Sequence, residues 1–116
     1  MRQLGANVLL FEVSGHLSLE VAKAMIERAE RLLAKVDRVH AFHDWEQVSG
    51  YDNTARLELT GFMFSRRQHF ISAHLLVTEQ VTAFGVEVAN IVLTNKINVH
   101  SERASFKKAL DSATST

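Results

Sequence analysis

Along this chain the hydrophobic period changes repeatedly, from short apolar runs to three- and four-residue stripes and back. That alternation restricts the fold more than any other feature. Asn7 to Ser14 is nearly continuous in Val8, Leu9, Leu10, Phe11 and Val13 and is closed by Gly15, which predicts a strand covered on both faces. Behind Ser18 as N-cap, Ala22, Met25, Ala29, Leu32, Leu33 and Val36 form one stripe, so a helix is expected from Leu19 to Lys35. Glu27 and Arg31 add an i,i+4 pair on its wet side. A second strand is expected over Arg38 to Trp45, followed by a Glu46 to Tyr51 loop containing Gly50. Asp52 then caps a helix from Asn53 to Gln68, with Ala55, Leu59, Phe62 and Met63 inward. Phe70 to Val77 reads as a third strand. Thr78 caps a helix from Glu79 to Leu93 with Val81, Phe84, Val88, Ile91 and Val92 inward. Ile97 to His100 reads as a short last strand, and Ser101 caps a final helix carrying Ala104, Phe106 and Leu110.

The expected order is β-α-β-α-β-α-β-α, with an extra edge strand at Arg2 to Gly5. It predicts one α/β domain over residues 1–116: a mixed, mostly parallel sheet of four or five strands joined by right-handed crossovers, with about four helices. Asp111 to Thr116 are small and polar and are expected to fray. The N-terminal edge offers a second copy a place to pair, so a homodimer is one expected assembly.

Composition serves here mainly to exclude. Thirteen basic against thirteen acidic residues leave no net charge, so no bulk field draws the chain to nucleic acid or an anionic membrane. Zero cysteines remove disulfides, thiolate clusters and thiol catalysis. Glu12 interrupts the N-terminal apolar run too early for a signal peptide, and nothing approaches a membrane span, so a cytoplasmic protein is expected. The five glycines never cluster, so neither a dinucleotide fingerprint nor a phosphate loop is present. No cofactor is expected.

His40, His43 and Asp44 resemble a metal cluster only if the segment is helical. On a strand, His40 and Asp44 point one way and His43 the other. His74 and His100, on other strands, could join His40 or His43 across the sheet, but hydrogen-bonded structural histidines are the preferred reading and no metal site is expected. Arg56, Arg66 and Arg67 give the second helix a basic side, read as a solvated face or a contact for an acidic protein.

The window Asp44 to Ala55 carries the most information. It runs from a strand end into the first turn of a helix, where Asp52 can accept an orphan N–H and Thr54 lies at the positive pole. A phosphate on Thr54 would add nearly two negative charges there. The window resembles the STAS (SpoIIAA-like) anti-sigma-factor antagonists. In that family the second core strand ends in Asp, an apolar residue follows, and Val stands four positions after the Asp. Four further on, a second Asp opens an Asp-Ser-Ser-Gly helix start. Asp44, Trp45, Val48 and Asp52 fall on that spacing without a gap, and Asn53, Thr54 and Ala55 occupy the Ser-Ser-Gly positions. The resemblance implies a non-enzymatic module that binds a regulatory kinase or anti-sigma-like protein and is switched by phosphate, with Thr54 at the acceptor position. Asn53 and Ala55 depart from the pattern. The expected contact residues are Asp44, Trp45, Tyr51, Asp52, Asn53, Thr54 and Arg56, with none catalytic.

A second similarity, to SpoIIAA-like domains related in fold to the lipid-binding Sec14 type, implies a small-molecule or lipid carrier. Phe62, Met63, Phe64, Phe84 and Val88 would line its apolar space. A third alternative is a small enzyme using His43, Asp44 and Tyr51 at the C-terminal end of a strand.

Overall fold

The computed structural model describes residues 2–78 and 97–115. In chain order these form β1 (Arg2–Gln3), β2 (Val8–Leu17), α1 (Leu19–Leu33), β3 (Val39–Tyr51), α2 (Asn53–Ser65), a 3-10 turn (Arg67–His69), β4 (Phe70–Leu76), β5 (Ile97–His100) and α3 (Arg103–Thr114). One five-stranded sheet has the order β1-β2-β3-β4-β5; β1 is antiparallel to β2 and every other pair is parallel. This is the mixed α/β sheet that the alternation predicts. The described residues hold three α-helices, and the helix expected over Glu79 to Leu93, with Val81, Phe84, Val88, Ile91 and Val92, lies outside them.

Parallel strands taken in sequence order, joined by right-handed crossovers, must carry their helices on one face. α1 and α2 accordingly share a core with Leu9 and Phe11 of β2, Ala41 and Trp45 of β3, and Ala73 and Leu75 of β4. α3, following the last strand, covers the opposite face, where Phe106 packs with Val8, Leu10, Phe42 and Leu76. The near-continuous apolar run of β2 has its cause here, since alternate side chains enter two different cores.

α1 starts where expected: the backbone N–H of Val21 donates to the Ser18 hydroxyl at 3.3 Å. Its buried residues are Ala22, Met25, Ala29 and Leu32, with the Glu27–Arg31 ion pair outside. Arg66, just past α2, holds Glu30 of α1 at 2.6 Å and fixes the two helices side by side. α2 itself ends at Ser65, short of the expected Gln68.

The largest departure is in β3. Glu46 to Tyr51, expected as a loop, is strand, and β2 correspondingly runs on to Leu17. Pairing steps from Glu12↔Asp44 to Ser14↔Gln47, then from Gly15↔Val48 to His16↔Gly50, so β3 carries an extra residue twice. Such bulges break the period-two pattern by which a strand is read. They also let Trp45 and Val48, of opposite parity, enter the same core. Gly15 sits at the second irregularity with φ +75°, a left-handed conformation that disfavours any other residue.

At the C-terminus, Glu102 rather than Ser101 is the N-cap of α3, without a side-chain cap bond. α3 runs through Asp111 to Thr114, whose hydroxyl donates to the Leu110 carbonyl at 3.0 Å.

Candidate functional site

Where β2 and β3 end, α1 and α2 begin, and this rim gathers most of the expected contact residues. Asp52 is the N-cap of α2 with extended backbone (φ −78°, ψ 143°), yet its carboxylate makes no cap bond to that helix. It meets His16 Nε2 at 2.7 Å, while the Leu19 backbone N–H also donates to it. The His16 contact is the main reason the Asp52 carboxyl lies below its ordinary range, partial burial opposing. One exposed carboxylate therefore ties the end of β2 and the start of α1 to the start of α2. The first turn of α2 carries no acidic residue, and Asn53 and Thr54 there are both exposed. Tyr51 and Arg56 are half-buried, Tyr51 packing against the main core. Chemically, this is a positive helix pole with a hydroxyl in its first turn and no side-chain cap from Asp52.

Two expected contact residues are withdrawn from that surface. Trp45 is 1% exposed and belongs to the core beneath α1 and α2, because strand alternation puts it on the same face as Ala41 and His43. Asp44 faces the other side of the sheet, where Arg103 holds its Oδ2 at 2.8 Å and also reaches Glu46 at 3.0 Å. Asp44 anchors the start of α3; it is not part of the rim. His16, in turn, was not legible as a rim residue, since the 36 positions separating it from Asp52 carry no spacing signal.

The structure does not bring His43 and Asp44 together. His43 points into the α1/α2 core and Asp44 to α3, as the strand period requires. His43 stacks on Phe11 at 5.0 Å and meets Trp45 edge-on at 5.3 Å. Burial pushes its pKa down to about 4, and its Nδ1 has no hydrogen-bond partner among the described residues. It borders a space of about 20 Å³ lined otherwise by apolar groups, Met25, Leu59, Phe62 and Met63 among them. That is room for about one water.

The remaining sheet histidines line up under α3. His40 Nδ1 meets the Ser72 hydroxyl at 2.8 Å; His74 Nδ1 meets His100 Nε2 at 2.9 Å; His100 Nδ1 meets the Ser105 hydroxyl at 2.9 Å. Phe42 stacks on His74 at 4.5 Å. Burial lowers the pKa of His40 and His100, and takes His74 to about 4 with added repulsion from the other two. All three are hydrogen-bonded within the fold. Among the described residues no three metal-ligating groups are arranged to hold one ion, and no helix is long and apolar enough to cross a membrane.

No family model matches the sequence, and no curated protein matches it. The structure is similar to that of an uncharacterised DUF3478-family protein with a SpoIIAA-like fold from Shewanella loihica PV-4. The TM-score is 0.67, at 19% identity, over 91% of this chain and 83% of that one. At such identity the likeness shows the fold alone, an α/β domain of SpoIIAA-like, STAS-type architecture.

Proposed function

From the premise of a SpoIIAA-like fold, we propose that this chain is a non-enzymatic protein-interaction module. Its contact surface is the rim of Tyr51, Asp52, Asn53, Thr54 and Arg56, and phosphorylation of Thr54 switches it. The partner class is a regulatory kinase or an anti-sigma-like protein. The observation that carries the reading is Thr54, exposed in the first turn of a helix whose N-cap carboxylate is engaged elsewhere. A phosphate there meets two opposing effects: attraction to the helix pole, about 0.3–1 kcal/mol, and repulsion from Asp52 nearby in sequence. Both are screened at the surface, so the modification leaves the fold intact and changes what the rim presents to a partner.

Capture from source lysate with wild type, Thr54→Ala, Thr54→Glu and Asp52→Ala, read by mass spectrometry, tests this. Wild type and Thr54→Ala retain a shared partner that Thr54→Glu loses. Identical partner sets for all four proteins would refute the switch.

One observation supports a second reading, a carrier of a small apolar molecule: the orphan Nδ1 of His43 beside an otherwise apolar space. An orphaned buried polar atom calls for a partner. A space of about 20 Å³ admits no lipid chain unless α1 and α2 separate, which favours the interaction module. Native mass spectrometry after mild purification separates the readings, since a carrier shows added mass and the module does not.

A further inference from the structure

The sheet face beneath α3 is remote from the rim and takes no part in the function proposed above. Besides the contacts of Arg103 with Asp44 and Glu46, it carries the imidazoles of His40, His74 and His100 and the hydroxyls of Ser72 and Ser105. Ser105 donates its hydroxyl proton to the Glu102 carbonyl at 3.1 Å, because a carbonyl can only accept. The Ser105 oxygen must then accept from His100 Nδ1–H. His100 Nε2 is thereby left with its lone pair and accepts from His74 Nδ1–H. The two rings meet nearly coplanar, 24° apart with centroids at 5.2 Å, the geometry of an in-plane imidazole–imidazole bond. The chain of donors ends at His74 Nε2, which carries an unprotonated lone pair.

His74 borders a groove of about 350 Å³ shared with His40, Ser72, Ala109, Ser112 and Ala113. The small residues at 109, 112 and 113 fall on one face of α3 and leave the space open. His40 pairs in register with Ser72, so His74, two residues on, is its diagonal neighbour on the same face. With the Ser72 hydroxyl accepting from His40 Nδ1–H, His40 Nε2 keeps a second lone pair, and both rings line the same groove. Two neutral imidazoles with their outer N–H groups tied back are the arrangement by which proteins orient histidine ligands to a metal.

We infer that the groove between α3 and strands β3 and β4 binds a divalent transition-metal ion through His40 and His74, with His100 as a positioning residue. Imidazole donors suit zinc, copper and nickel, whereas magnesium and calcium want oxygen. Since among the described residues no three ligating groups are arranged to hold one ion, it is a two-imidazole site whose remaining positions are taken by water, for which the groove has room.

Titration of the full chain with zinc chloride alone, followed by imidazole ¹⁵N–¹H NMR, tests the inference. Saturable shifts at His40 and His74 are expected, exceeding those at the exposed His16 and His69. Affinity falls at least tenfold in His40→Gln and in His74→Gln and is unchanged in His16→Gln. His40→Gln keeps the test valid if loss of the Phe42 stack unfolds His74→Gln. For the positioning role, His100→Leu weakens binding and His100→Gln, which retains an acceptor for His74 Nδ1–H, restores it. Shifts confined to His16 and His69, undiminished affinity in His40→Gln, or no saturable binding would overturn the inference.

Discussion

His43 gives the sharpest quantitative test of the core. The ring is buried, its Nδ1 unpartnered, and its pKa is held at about 4 against an ordinary 6.5. Each unit is worth about 1.4 kcal/mol, so the full difference comes to roughly 3–4 kcal/mol. The sign follows from proton counting. Between the two values the unfolded chain binds the proton and the folded chain does not, so stability falls as pH drops through 6.5 toward 4. Above 6.5 the group costs nothing in linkage; by pH 5 it removes about 2 kcal/mol. Urea denaturation of wild type and His43→Leu at pH 7.5, 6 and 5 measures this. Leu nearly matches the ring in volume and leaves no orphan nitrogen, so at pH 7.5 the variant is more stable by about 1 kcal/mol. Groups common to both proteins cancel in the comparison. Wild type should therefore lose about 2 kcal/mol more than the variant on going to pH 5. Equal acid sensitivity would refute the reasoning and imply that His43 is hydrated or paired in solution.

Three further outcomes follow from the packing. Trp45→Ala destabilises the fold by about 3–5 kcal/mol in urea titration, because Trp45 fills the core and not a contact surface. A loss below 1 kcal/mol would return it to the rim. Arg103→Ala removes the partner of a largely buried Asp44 carboxylate and costs about 1–3 kcal/mol, with faster amide exchange in α3 than in α1. Gly15→Ala costs about 1–2 kcal/mol because its φ of +75° disfavours a Cβ, although the space around it is open.

Most of the layered architecture was legible because it rests on local periodicity. The stripe Ala22, Met25, Ala29, Leu32 marks α1, and the apolar runs mark β2 and β4. The inner face of α2 was also legible in Ala55, Leu59 and Met63. β3 beyond Trp45 was not, since Glu46, Gln47, Ser49 and Gly50 read as loop and become strand only by pairing with β2 across two bulges. The candidate rim was half legible. Asp52 and Thr54 stand at the start of α2 as the spacing predicts, but which partner the Asp52 carboxylate takes is a tertiary matter, and His16 outcompetes the helix's own N–H groups. Asp44 likewise reads as a surface residue until Arg103, 59 positions away, is brought beside it. Windows of a dozen residues cannot register such contacts.

The rim itself is tested most directly by site-specific photo-crosslinking. A benzophenone side chain is placed at Asn53, on the rim, or at Lys107, exposed on α3 at the opposite face. The account predicts that Asn53 crosslinks a discrete partner in lysate, that Lys107 does not, and that Thr54→Glu abolishes the Asn53 product. Equal crosslinking from both positions, or an Asn53 product indifferent to Thr54→Glu, would contradict it.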